Sequence, residues 1–149
     1  MRILLMTVLT TLLLATLAPA AHAGVFTTRC LAAEGGKKPV QLQFSTVADE
    51  ASGWSGGFVR YGSHSRPISL VRLRESHVET APGRPLAFTT VWLEMVGGLA
   101  VGSYAVETQG ARIQRFVYSS KRTGQDTTFV DNPAIDVGDD GACRWTATG

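Results

Sequence analysis

Few side chains in this sequence are suited to covalent or metal chemistry. There are two cysteines, Cys30 and Cys143, and three histidines, one of which, His22, sits in the N-terminal segment. A zinc site needs three or four converging ligands, so His64 and His77 would have to recruit Glu75 or Glu79, and ordinary surface histidines account for them better. The cysteines lie far apart and do not form the close pair that marks a redox centre. No metal and no cofactor is expected. Also missing from residues 24–149 are a sustained helical stripe with caps, an internal repeat and a low-complexity tract, which leaves an all-β reading. The formal charge is only +2. A nearly neutral chain has no global field to draw nucleic acid or anionic membranes towards it, so neither is an expected partner.

What is present begins with export. Arg2 precedes an apolar run from Ile3 to Leu17, then come Pro19 and the small-residue pattern Ala21-His22-Ala23 ahead of Gly24. A charged start, a short hydrophobic segment and an A-x-A site are the features of a cleavable signal peptide over residues 1–23. The run is shorter than the ~20 residues that span a hydrocarbon core, so no membrane span is expected. Removing 23 of the 149 residues leaves 126, which suits one domain over 24–149. The expected location is periplasmic or extracellular.

In such a compartment Cys30 and Cys143 are expected to pair and join the two ends of the domain. Charge is uneven between those ends: from Asp126 onward there are five aspartates against Arg144 alone. The preceding region is basic and rich in arginine, which favours planar recognition of carboxylate or phosphate. An anionic ligand is one expected partner, and a solvated sheet face is the plainer explanation.

Between the cysteines the pattern has period two, punctuated by turns. Val40, Leu42 and Phe44 alternate with Gln41 and Gln43, predicting a first long strand with one face on a core and the other in water. Ala48 to Gly57 reads as a loop, followed by strands over Phe58 to Tyr61 and Ile68 to Leu73. Leu86 to Val96, apolar on both faces, predicts a buried strand. Gly97-Gly98 and Gln109-Gly110 then supply hairpin turns into Val101 to Thr108 and Ala111 to Ser119. A further strand is expected near Thr127 to Val130, loop from Asn132 to Gly141, and Cys143 to Trp145 closing the sheet. The sum is a single antiparallel sandwich or barrel of about 7–9 short strands.

Candidate chemistry is sparse. Gly53-Trp54-Ser55-Gly56-Gly57 fits the G-x-S-x-G pattern of a serine-hydrolase elbow, but that elbow needs a strand feeding a helix, with an acid and then a histidine further on. All aspartates beyond Ser55 follow both His64 and His77, so catalytic use of Ser55 is the minority reading. Asp136 to Gly141 lacks the spacing of an EF-hand calcium loop and reads as a polar turn. The binding candidate is Trp54 in its glycine-serine segment, since aromatic anchors beside arginine are common at interface hot spots. Ser55, Tyr61, His64 and Arg66 are expected to share its edge of the sheet. The competing reading has Trp54 folding back to plug one end of the domain.

Cys30 ahead of the first strand, Cys143 near the last and the Ser55-Gly56 loop together resemble the small exported inhibitors of c-type lysozyme. That resemblance implies a β-barrel whose Ser-Gly loop enters an enzyme cleft. The chain departs from the family at Phe58, where those inhibitors carry tyrosine, and in its longer cysteine-bounded region. The expectation is therefore an exported, non-enzymatic binding protein, for another protein or an anionic ligand, with enzyme inhibition and serine hydrolysis as the alternatives.

Overall fold

The computed structural model describes residues 24–33 and 38–145, all of it strands, turns and loops. The expected signal segment 1–23 lies outside the described residues. Nine strands follow in order: β1 (Val25–Ala33), β2 (Val40–Asp49), β3 (Trp54–Tyr61), β4 (Ile68–Val78), β5 (Ala87–Val96), β6 (Leu99–Gln109), β7 (Arg112–Ser120), β8 (Asp126–Thr128) and β9 (Val130–Asp131). β1 to β7 form an antiparallel meander, and the sheet order is β8-β7-β6-β5-β4-β3-β2-β1-β9. β8 pairs with β7 and β9 with β1. Between them the Phe129 amide donates to the Phe116 carbonyl at 2.9 Å. Residues 126–131 thus behave as one broken strand that nearly closes the sheet into a barrel, leaving little free edge. Among the described residues no helix is long and apolar enough to cross a membrane.

The expected all-β domain with a Cys30–Cys143 disulfide is observed. Several details differ, and β4 for one runs on to Val78, past the expected end at Leu73. Val25 to Ala33 is a full strand ahead of Val40. The expected loop from Ala48 to Gly57 is only residues 50–53, because β2 runs on to Asp49 and β3 begins at Trp54. Closure comes from residues 126–131, whereas Cys143 makes a single bridge to Val137. The Gly97-Gly98 hairpin is as expected: Val96 pairs with Leu99, and both glycines have positive φ, at 58° and 80°.

Alternation along each strand sends one residue in two to the interior. Leu31, Leu42, Phe44, Val59, Leu70, Trp92, Tyr104, Val106, Phe116 and Phe129 meet there as the core. Phe116 is its hub, with ring centroids 5.1 Å from Phe44, 5.6 Å from Tyr104 and 6.0 Å from Phe129. The middle of β2's outward face, at Gln43 and Ser45, is not in water, contrary to the alternation read from Gln41 and Gln43. The segment from Asn132 to Cys143 lies across it as a strap. Gln43 is buried there, donating to Ser45 Oγ and to the Gly141 carbonyl, both at 3.0 Å. Thr28 Oγ1 also donates to the Gly141 carbonyl, at 3.2 Å. The disulfide ties the end of this strap to β1.

The loops joining β3–β4, β5–β6 and β7–β8 lie at one end of the barrel, and a polar network plugs the interior there. Glu94 is buried, and Tyr104 Oη donates to its Oε1 at 3.1 Å. The Tyr61 and Tyr104 hydroxyls share a hydrogen bond of 2.7 Å, and the Tyr118 ring lies 4.8 Å from that of Tyr104. Burial, then the neighbouring Tyr61 and Glu94, raise the Tyr104 phenol above its ordinary range. Such groups stay buried only when paired. This network makes one end of the barrel closed and leaves the other for a site.

Candidate ligand-binding site

The opposite end of the barrel is hollow. A cavity of about 250 Å3 opens among the starts of β1, β3, β5 and β7 and the ends of β2, β4 and β6. At ~30 Å3 per water in the liquid, that is room for roughly eight waters, or one small organic molecule. Eight-stranded barrels are near the size at which side chains just fill the interior or leave space for one small ligand.

The floor is apolar: the buried Phe44, Trp92 and Val106 line it, with Ile113 on the wall beside Thr108. Phe44 and Trp92 meet edge to face, with centroids 6.0 Å apart at 79°. Above the floor the inward positions turn polar. Thr27, Thr46, Ser55, Thr90 and Thr108 add hydroxyls, and Arg29, Arg72 and Glu75 form the lip. The Ser55 hydroxyl is buried without a hydrogen-bond partner.

A bulge in β4 places the charged pair. Arg72 pairs with Trp92 and Arg74 with Val91, so Leu73 is skipped and the side-chain parity flips. As a result Arg72 and Glu75 both line the cavity, while Leu73 stands 55% exposed. Arg72 Nη1 lies 3.5 Å from Glu75 Oε2, and its Nη2 donates to the Gly53 carbonyl at 3.1 Å. Thr90 Oγ1 donates to the same Glu75 oxygen at 3.3 Å. The Gly53 carbonyl is presented by a tight turn in which Ser52 Oγ donates to Asp49 Oδ2 at 2.6 Å. That bond and the Ala51 amide lower the Asp49 carboxyl below its ordinary value.

Arg29 has a different task. It reaches over the seam of the barrel, donating to the Ala111 carbonyl at 2.7 Å and standing 3.6 Å from Asp131. Partial burial raises the Asp131 carboxyl, and Arg29 offsets part of that. Arg29 therefore latches β1 to the β6–β7 turn while forming one wall of the cavity.

The residues singled out from sequence fall at two ends of the molecule. Trp54 and Ser55 start β3 at the hollow end. Tyr61 finishes β3 in the closed-end network, and His64 and Arg66 lie in the loop beyond it. The eight residues of β3 hold the two groups about 23 Å apart at the usual strand rise. Trp54 faces outward, 59% exposed, its ring over Gly56, where an added Cβ would come within 2.9 Å of it. It therefore plugs neither end of the barrel. Ser55 sits within a strand, with no helix after it and no histidine bonded to it. His77 instead packs on Phe88 at 5.5 Å. Among the described residues no group of three or more His, Cys, Asp or Glu converges as a metal site.

Sequence reasoning missed Thr46, Arg72, Thr90, Trp92 and Thr108 as site residues and weighed Glu75 as a metal ligand. One signal was there to find the threonines. On β2, β5 and β6 the inward register steps from a large apolar residue, Phe44, Trp92 or Val106, to a threonine next towards the hollow end, Thr46, Thr90 or Thr108. Comparison of the chain with protein-family models, curated proteins and solved structures found no match.

Proposed function

We propose that this is an exported, non-enzymatic binding protein that takes a small molecule into the hollow end of its barrel. The observation that carries the reading is the cavity itself, an apolar floor under a ring of hydroxyls and a charged lip. Ligand sites commonly combine an apolar lining with a few placed polar groups. Export is supported by the Arg2 to Ala23 pattern and by the disulfide, which persists in oxidising compartments.

A thermal-shift survey of small ring compounds, sugars, carboxylic acids and amino acids tests this. A ligand at a hundred times its Kd stabilises the folded state by about 2.7 kcal/mol. Ala48, on the cavity wall, offers the control: Ala48→Trp fills the space and is expected to abolish the stabilisation. An unresponsive protein, or equal stabilisation of the variant, would sink the reading.

A second reading, docking of a protein on the outside of β3, is favoured by the exposed Trp54. Trp54→Ala is expected to change stability by no more than about 0.5 kcal/mol and to leave small-molecule binding intact. Loss of a captured enzyme or other protein in that variant alone would make Trp54 the protein-facing anchor.

A further inference from the structure

Resting on the cavity reading above, we infer that the ligand is a free α-amino acid with an apolar side chain. Three observations meet on this class. The first is size: a cavity of about 250 Å3 holds a single small molecule and lies below the ~300 Å3 at which drug-sized pockets begin.

The second is the lip. A cation and an anion stand side by side there, with Arg72 Nη1 and Glu75 Oε2 3.5 Å apart. An α-amino acid presents the reverse pair, a carboxylate and an ammonium on one carbon, at a similar spacing. The Arg72 guanidinium has a planar fork of N–H donors suited to the carboxylate. Glu75, already oriented by the Thr90 hydroxyl, accepts from the ammonium. The Arg72–Glu75 contact is long, and the two side chains remain 32% and 42% exposed. An exposed pair of this kind is worth little and is cheaply exchanged for ligand contacts.

The third is the direction of polarity. The partly exposed charged pair is at the opening, while the buried Phe44, Trp92 and Val106 lie beneath it. A zwitterion entering with its side chain first buries apolar surface on the floor and leaves both charges at the lip. A neutral apolar molecule would leave the pair unused. A simple anion would face Glu75 without an ammonium to offset it.

Isothermal titration of the exported, disulfide-bonded protein with phenylalanine and leucine, each beside its des-amino acid and its decarboxylated amine, tests the assignment. The zwitterions are expected to bind at least tenfold more tightly than either analogue, the scale of one charge-assisted hydrogen bond. Arg72→Gln should erase the preference over the amine and keep the preference over the des-amino acid. Glu75→Gln should do the reverse. Both side chains are partly exposed, so thermal melts of the two variants are expected to match the parent. Equal affinity for zwitterion and analogue, or identical effects of the two substitutions, would overturn the ligand class. So would binding of other small molecules with no response to amino acids, and the cavity reading would then stand. If no compound of any class binds, both fall.

Discussion

Cys30→Ala/Cys143→Ala is expected to lose roughly 4–5 kcal/mol of stability, the largest effect of any change away from the hydrophobic core. The bond closes a loop spanning 113 positions, and the chain-entropy model assigns about 4.7 kcal/mol to a loop near that length. Native contacts add to it. Both cysteines are buried, and Cys143 ends the strap that covers Gln43 and Ser45. Without the bond, hydrogen bonds must hold the strap: those from Thr28 and Gln43 to the Gly141 carbonyl, from the Cys143 amide to Gln43 Oε1, and from the Asn132 amide to the Cys30 carbonyl. For a domain of this size the melting temperature should fall by roughly 12–20 °C. Thermal melts of the double variant, and of the parent with and without reductant, check this. A change under about 1 kcal/mol would mean that the strap, not the bond, carries the stability.

The second large effect belongs to the closed end. Tyr104→Phe is expected to cost about 2–3 kcal/mol at neutral pH, because the buried Glu94 carboxyl loses a donor and Tyr61 loses its hydrogen-bond partner. The same phenol predicts the alkaline limit of the fold. Its folded pKa is raised, first by burial and then by Tyr61 and Glu94, so the folded state holds the phenolic proton more tightly than the unfolded chain does. That contribution is fully present below pH ~10, the unfolded value, and is lost as pH rises above it. The slope from Tyr104 is about 1.4 kcal/mol per pH unit. Tyr61 and Tyr118, raised mainly by burial and more exposed to solvent, steepen it by less. Urea unfolding across this range should show a level plateau and then a fall, shallower in the variant. A slope unchanged by Tyr104→Phe would remove the network from the account.

Particular residues show how much of this was legible in the sequence. Leu42 and Phe44 announced a strand by alternation, and Gly97-Gly98 announced its hairpin because only glycine supplies two positive φ angles cheaply. β1 was missed for a physical reason: its inward positions Thr27 and Arg29 line the cavity, so the hydrophobic period is broken where the barrel is hollow. Gln43 looked solvated because a strap from 98 residues away satisfies its amide, and no local pattern encodes such a contact. Trp54 to Gly57 looked like loop because glycine and serine dominate it. Gly57 is there because the Ser45 carbonyl crowds the place where a Cβ would be. The charged pair was hidden by the β4 bulge, which turns Arg72 and Glu75 inward together, where strict alternation would place them on opposite faces. A polar residue facing into a barrel and one facing solvent look the same in sequence. Only closure of the sheet tells them apart.

The claim that the hollow end binds a small molecule is tested most directly by mapping where one goes. Nuclear magnetic resonance titration of the full disulfide-bonded protein, with phenylalanine or the best stabilising compound from the thermal survey, follows the Trp92 indole and the amides of Thr46, Thr90 and Thr108. Saturable shifts at those positions, absent in Ala48→Trp and absent from Trp54 and the Tyr61–Tyr104 end, are the predicted result. Shifts centred on Trp54, or a Trp92 signal that never moves, would contradict it.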